Sequence, residues 1–201
     1  MAAFTTPAQV CNVALLDVGQ RQIIDDLEEG TPQAEACNAL FGPLRNELLA
    51  KAAWKFALRR AVLVDSGETR DEWGMAYEWP SDCLRPVRIV NLNQQPSNDD
   101  IVFDVELNDT GNRRLILTDL TPATLIYVAE IRNVGLWDDL FCKAVAAELA
   151  VRLARALPVK PALGRDLAGD ARNALLEALA YNDNVVVKPR RADAEWIADR
   201  S

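Results

Sequence analysis

A switch in hydrophobic spacing constrains this chain more than any other feature of its sequence. Apolar residues recur at helical spacing near both ends, whereas short β-prone runs fill the stretch between them. Helical halves that flank a block of short strands indicate an α+β fold. We therefore predict one domain over residues 1–184, in which segments 1–62 and 132–184 form a helical bundle and 63–131 is a small antiparallel β-insertion.

The first half carries two helix start signals. Thr6 and Thr31 are each followed by proline, a pair suited to the N-cap and the first helical position. Gly19 is the expected end of the first helix. The Gly42-Pro43 pair inside the second helix predicts a kink or a break, since proline removes a backbone donor and crowds the preceding turn.

Four short strands are expected in the insertion. Their sequences are CLRPVRIVNL, IVFDVEL, RRLILTD and TLIYVAEI, and the turn NDTGN predicts a hairpin between the second and the third. Helix is expected again over 136–157 and about 161–181. The chain then finishes in a polar segment, 185–201, which we predict to be an extended arm.

The negative charge of the chain is concentrated in the insertion. The whole chain carries −8, and segment 63–131 alone contains thirteen acidic and five basic residues. A protein that grips DNA phosphates tightly would not be expected to carry this excess. The paired acidic residues of the chain are expected to be solvated or to cap helices.

The residue types needed for most catalysis and metal binding are missing or scattered. The chain has no histidine, its four cysteines stand singly, and neither a phosphate-binding glycine loop nor a G-x-S-x-G elbow occurs. We therefore predict a protein that is not an enzyme, with no catalytic residue, cofactor or metal, and with buried, reduced cysteines. The sequence also lacks a basic leader and a run long enough to span a bilayer, so we expect synthesis in the cytoplasm and no membrane partner.

Two aromatic stretches allow two interpretations each. In AAWKFALRRAVL, aromatics lie among Lys55, Arg59 and Arg60, an arrangement that suits nucleic-acid binding. Alternatively, Trp54 and Phe56 are core residues. Because Trp54, Phe56 and Leu58 alternate, the chain from Trp54 onward is either extended or a continuation of the helix. In YEWPSDCLRPVRI, Tyr77 and Trp79 could form a binding platform or cover the sheet where the insertion meets the helices. We favour burial in both, which makes a structural core at the hinge between the helical half and the insertion, formed by Trp54, Phe56, Tyr77 and Trp79. Arg59 and Arg60 are then expected to meet protein carboxylates.

The carboxyl-terminal arm is a candidate partner interface. It carries a lone tryptophan flanked by basic residues, and tryptophan with arginine commonly anchors protein interfaces. The alternative is that the arm folds back on its own domain. The candidate interface residues are Lys188, Arg190, Arg191, Trp196 and Arg200.

Taken in order, these segments resemble the tail tubular protein A family of tailed phages, which are head-to-tail adaptors. The resemblance rests on PAQVCNVALLDVG, RNELLAKAAWKFALRR, YEWPSDCLRPVRI, RRLILTD, ATLIYVAEI and GLWDDLFCKAVAAELAVRLA, and it covers roughly residues 7–182. In the family a His-Pro-like pair often precedes the tryptophan that corresponds to Trp54, whereas this chain has Ala52-Ala53.

The resemblance implies a structural protein of the virion, located in the neck or tail. Such a protein forms a dodecameric homo-oligomeric ring below the portal protein, continues the DNA channel and carries the tail nozzle or the next tail component. Genomic DNA would pass through without specific binding. The alternatives are a soluble DNA-binding protein, with Lys55, Arg59 and Arg60 on phosphates, and an accessory protein of virion assembly.

Overall fold

The computed structural model describes residues 4–91, 101–157 and 163–185. Within these ranges the chain forms four helices and six strands, so the predicted mixed α+β class is observed. The helices are α1 (Pro7–Asp17), α2 (Pro32–Lys51), α3 (Asp139–Ala156) and α4 (Leu163–Asn184). The strands are β1 (Leu58–Val62), β2 (Met75–Glu78), β3 (Cys83–Val90), β4 (Asp104–Leu107), β5 (Arg114–Thr118) and β6 (Thr124–Ala129).

The first two helices begin where the sequence predicts. The Thr6 hydroxyl accepts a hydrogen bond from the Gln9 backbone N–H, and the Gln9 side-chain oxygen accepts one from the Thr6 backbone N–H, which completes a capping box. The Thr31 hydroxyl accepts a hydrogen bond from the Ala34 backbone N–H and caps α2, without a reciprocal side-chain bond. The α2 helix runs unbroken through Pro43, so the expectation of a break there is wrong.

The third helix is the centre of the helical layer, because it packs against α1, α2 and α4. Its buried face combines large and small residues, which lets the neighbouring helices approach closely. The members of that face include Phe141, Cys142, Ala144, Val145, Ala146, Leu149, Ala150 and Leu153. The chain's apolar positions therefore converge on α3 to form the main core. No helix within the described residues is both long and apolar enough to cross a bilayer.

The β-rich part contains two sheets, whereas the sequence predicted one sheet of four strands. The first sheet has the order β1-β6-β3 and the second has the order β2-β5-β4, and every pairing is antiparallel. The additional strands are β1 and β2. The first of these, Leu58–Val62, lies inside segment 1–62, which we assign to the helical half, and the chain there is extended rather than helical.

The two sheets enclose a second core. A single bridge joins Asp65 to Tyr77 at one edge, and another joins Ile89 to Ile101 at the opposite edge. Side chains from both sheets fill the space between these seams. The buried residues there are Leu63, Tyr77, Cys83, Ile89, Ile116, Ala123, Leu125, Tyr127 and Ala129.

The β6 strand lies between the two cores, and all six of its residues are buried. Its odd-numbered positions, such as Leu125 and Tyr127, face the second sheet. Val128 points the other way and belongs to the helical core. The molecule is therefore built in three layers: helices, the β1-β6-β3 sheet and the β2-β5-β4 sheet.

Candidate interaction surfaces

The segment that the sequence marked as a hinge joins the helical layer to the first sheet. Trp54 is 1% exposed, and its indole N–H donates to the Leu48 carbonyl at 2.9 Å, near the end of α2. Its ring meets Phe141 of α3 edge-to-face at a centroid distance of 4.8 Å. Phe56, which is partly buried, also contacts Phe141, with a distance of 5.0 Å between the two ring centroids. Trp137 completes the cluster at 5.2 Å from Phe141.

A buried asparagine of α4 holds the same segment. The side-chain oxygen of Asn182 accepts the backbone N–H of Lys55 at 2.8 Å, and its amide nitrogen lies 3.4 Å from the Ala53 carbonyl. Asn182 is among the few polar residues that are buried. Two backbone polar groups of the chain between α2 and β1, the Lys55 N–H and the Ala53 carbonyl, are therefore paired with a side chain more than a hundred residues away.

Tyr77 and Trp79 lie at the second sheet and do not contact the aromatic cluster of α3. Tyr77 is buried between the sheets, with its hydroxyl donating to the Leu120 carbonyl at 2.9 Å. Trp79 is partly buried, donates to the Cys83 carbonyl and is covered by the Arg114 guanidinium 5.2 Å from the ring centroid. A depression of about 350 Å³ opens beside it, lined by Trp79, Glu78, Arg113, Arg114 and Leu115.

The predicted partner residues of the arm lie outside the described residues. These residues are Lys188, Arg190, Arg191, Trp196 and Arg200, and they stay a prediction.

The two arginines of the opening aromatic stretch have different environments. Arg59 forms an ion pair with Asp82 at 2.5 Å, as expected for an arginine that meets a protein carboxylate. Asp82 also accepts the Tyr127 hydroxyl, and burial together with this bond raises the pKa of Tyr127 to about 12. Arg60 is exposed, and no carboxylate of the described residues forms an ion pair with it.

Arg60 belongs to an exposed part of the first sheet that carries arginine and valine. The sheet register places Arg60 opposite Ile126 and Ile126 opposite Arg88, so two arginines flank one isoleucine across three strands. The next row along the strands is formed by Val62, Thr124 and Val90. We call this surface the arginine–valine face, defined by Arg60, Val62, Val64, Arg88 and Val90 with Ile126 and Thr124 between them.

The arginine–valine face lies beyond the edge of the helical layer. Val62 is 61% exposed and Val64 is 63% exposed, whereas Ile126 is buried although it belongs to neither core. The flanking arginines can account for this burial, because long charged side chains cover apolar surface with their aliphatic stems. Among the described residues, Arg88 forms no ion pair either. The face therefore combines two arginines that form no ion pair within the described residues with exposed aliphatic groups.

The second sheet ends in a surface of the opposite charge. All four residues of β4 are exposed, including Val105 and Leu107, the second of which is 57% exposed. Asp104 and Glu106 alternate with them, and Asp109 follows in the turn with its side chain 85% exposed. We call Asp104–Leu107 together with Asp109 the acidic strand.

Few cations balance the acidic strand. Arg70 is shared by Glu68, Glu106 and Asp109 at 3.2–3.4 Å, and Arg113 lies 3.4 Å from Glu78. Within the described part of the chain, Asp104 has no basic partner. This corner of the molecule therefore retains an excess of negative charge.

The free backbone edge of β4 is already covered. The Arg70 guanidinium donates to the Leu107 carbonyl at 3.3 Å, and the Val105 N–H donates to the Asp104 carboxylate at 2.7 Å. Such covering of an edge strand opposes the addition of another strand. Any protein that binds here is therefore expected to use the side chains of the acidic strand.

The described residues contain no group of three or more cysteine, aspartate or glutamate side chains placed to hold a metal ion. All four cysteines are free and buried, as the sequence predicts. No known family model matches the chain, and no curated protein matches it significantly.

The sequence did not reveal the pairing of Arg60 with Arg88 across Ile126. The two arginines are separated by β2 and by a long loop, and only the register of β1 and β3 on β6 brings them together. The acidic strand could be predicted in part, because the sequence shows that segment 63–131 is acidic and that IVFDVEL is β-prone.

Proposed function

We propose that this chain is a structural subunit of a phage head-to-tail adaptor, which joins the portal protein to the tail and assembles as a ring. The proposal begins from the ordered resemblance over roughly residues 7–182. The ring would be a dodecamer with the DNA channel along its axis. A tail nozzle or the next tail component would bind on the side away from the portal.

The observation that carries this proposal is the presence of two unlike, incompletely covered surfaces on one chain. The arginine–valine face is basic and aliphatic, whereas the acidic strand is anionic and aliphatic. Monomeric proteins seldom leave aliphatic side chains exposed in such groups, and these groups commonly mark interfaces. Rings are built from heterologous contacts, in which one patch meets a different patch on the next copy.

The charge of the chain also suits a conduit for DNA. A wall that bound phosphates would retard the genome, because each neutralised phosphate adds affinity. The chain carries −8 overall, and its acidic excess lies in the β-rich segment. Passage without specific binding is the behaviour that we expect of the assembled ring.

A binding experiment with the portal protein of the same virus tests the proposal. The full chain should be captured by portal rings, and a variant that lacks residues 185–201 should remain folded but be captured weakly. Circular dichroism establishes the folding of the truncated variant. Failure of the full chain to bind the portal would contradict an adaptor role, and normal capture of the truncated variant would remove only the role of the arm.

A further inference from the structure

We propose that the arginine–valine face of one copy binds the acidic strand of the next copy. This inference rests on the proposed function, because it assigns the contact between successive subunits of the ring. It commits to a second copy of this chain as the partner. The residues that we expect to meet are Arg60 and Arg88 on one copy and Asp104 and Asp109 on the other.

Charge complementarity favours this pairing. Within the described residues, Arg60 and Arg88 form no ion pair in their own copy. Asp104, which belongs to the acidic strand, forms none there either. The acidic strand also shares Arg70 among several carboxylates. Opposite potentials on two surfaces steer association and fix their register, although individual exposed ion pairs contribute little affinity.

The exposed aliphatic side chains of the two surfaces supply apolar area that the contact would bury, in addition to the pairing of charges. Val62 and Val64 are more than half exposed on one surface, and Leu107 is more than half exposed on the other. Val105 and Leu107 project from the face of β4 opposite to Asp104 and Glu106, so a partner reaches both sets across the outer edge of the strand. Burying the aliphatic side chains removes apolar area from water, which is the main favourable contribution to association.

The contact joins two different surfaces of the chain, and within the proposed ring we expect it to be heterologous. The arginine–valine face lies on the β1-β6-β3 sheet, whereas β4 is an edge strand of the β2-β5-β4 sheet. A copy that offers its face to one neighbour therefore keeps its acidic strand for another. Repetition of such a contact generates a ring when the rotation closes.

Two charge-reversal variants test the contact. The face variant carries Arg60→Glu and Arg88→Glu, and the strand variant carries Asp104→Arg and Asp109→Arg. Each variant alone would bring like charges together, whereas a mixture restores opposite charges at every contact. Sedimentation velocity of the free chain at about 100 µM in low salt measures self-association.

We expect the wild type to self-associate with concentration. Each variant alone should associate at least about tenfold more weakly, and an equimolar mixture of the two should recover association. A control variant with Arg21→Glu and Arg172→Glu changes the charge by the same amount at exposed sites elsewhere. It should behave as the wild type does. Circular dichroism and thermal melting establish that all variants fold.

Three results would overturn the inference. These are a wild type that stays monomeric, a face variant that associates as strongly as the wild type, and a mixture that recovers nothing. Added duplex DNA provides a further comparison, since DNA-dependent association that the face variant loses would assign the face to nucleic acid. This assay contains no portal protein. A negative result would therefore overturn the subunit contact without contradicting the proposed function, which the portal-binding experiment tests separately.

Discussion

The rings of Trp54 and Phe141 meet edge-to-face, with their centroids 4.8 Å apart. Trp54 follows α2 and precedes the first sheet, while Phe141 lies near the start of α3. Their contact therefore joins the end of α2 to the central helix at the point where the chain enters the β-rich part. Aromatic pairs in this arrangement contribute beyond the area that they bury.

Replacement of Trp54 by alanine should destabilise the fold strongly. The change removes a fully buried ring, its hydrogen bond to the Leu48 carbonyl and its contact with Phe141. We expect a loss of about 3–5 kcal/mol in the free energy of unfolding. Chemical denaturation measures this loss, with Leu136→Ala as the control because Leu136 is mostly exposed. Equal effects of the two substitutions would contradict the role of Trp54 in the core.

Replacement of Asn182 by alanine should loosen the same joint without removing apolar packing. The Lys55 N–H would lose its acceptor in a partly buried position. We expect a loss of about 1–3 kcal/mol, measured by denaturant unfolding. Asn173 is exposed on the same helix, so Asn173→Ala is the matched control and should change stability by less than about 0.5 kcal/mol. A neutral Asn182→Ala would show that the hydrogen bond is dispensable.

The stability of the chain should depend on pH through Glu130. Hydrogen bonds from Arg132, then from Asn46, and the charge of Arg45 lower the pKa of Glu130 below its ordinary value of 4.5. A carboxyl whose pKa is lower in the folded state stabilises the fold above its unfolded pKa, and that contribution is lost as the pH falls through the folded pKa.

The variant Glu130→Gln isolates this contribution. We expect it to be less stable than the wild type near neutral pH, and the difference should shrink as the pH falls through the acidic range and Glu130 becomes protonated. Thermal melting at a series of pH values measures both proteins. A difference that stays constant over this range would contradict the lowered pKa.

Cys83 and Cys142 should be unreactive in the folded protein. Burial raises the pKa of Cys83 and of Cys142 to about 12, with nearby carboxylates adding to the shift. The thiolate is the reactive form, so neutral-pH reaction with an aromatic disulfide reagent should be slow. Denaturant should expose all four thiols to rapid reaction. Rapid titration of Cys83 or Cys142 in the folded protein, located by peptide mass mapping, would contradict their burial.

Local signals in the sequence predicted a large part of the fold. Thr6 and Thr31 define helix starts because capping depends on neighbouring residues, and the later β-prone runs correspond to β3, β4, β5 and β6. The sequence leaves the chain after Trp54 either helical or extended, because the pairing of residues 58–62 with β6 is a long-range contact. Pro43 lies within α2 with its side chain exposed, although local rules favour interruption.

The candidate surfaces were harder to predict than the fold. Trp54 was assigned to the hinge from its neighbours in the chain, but its partner Phe141 lies far away in sequence. The arginine–valine face depends on strand register, which no single segment of the sequence contains. Charge composition did mark the acidic segment, since charge is a local property.

Negative-stain electron microscopy of the full chain mixed with its portal protein tests the central proposal most directly. We expect an added ring on one face of the portal, coaxial with its channel and with the same rotational axis. The portal alone and the portal mixed with an unrelated acidic protein are the controls. Portal particles that look unchanged at saturating amounts of the folded chain would contradict an adaptor function.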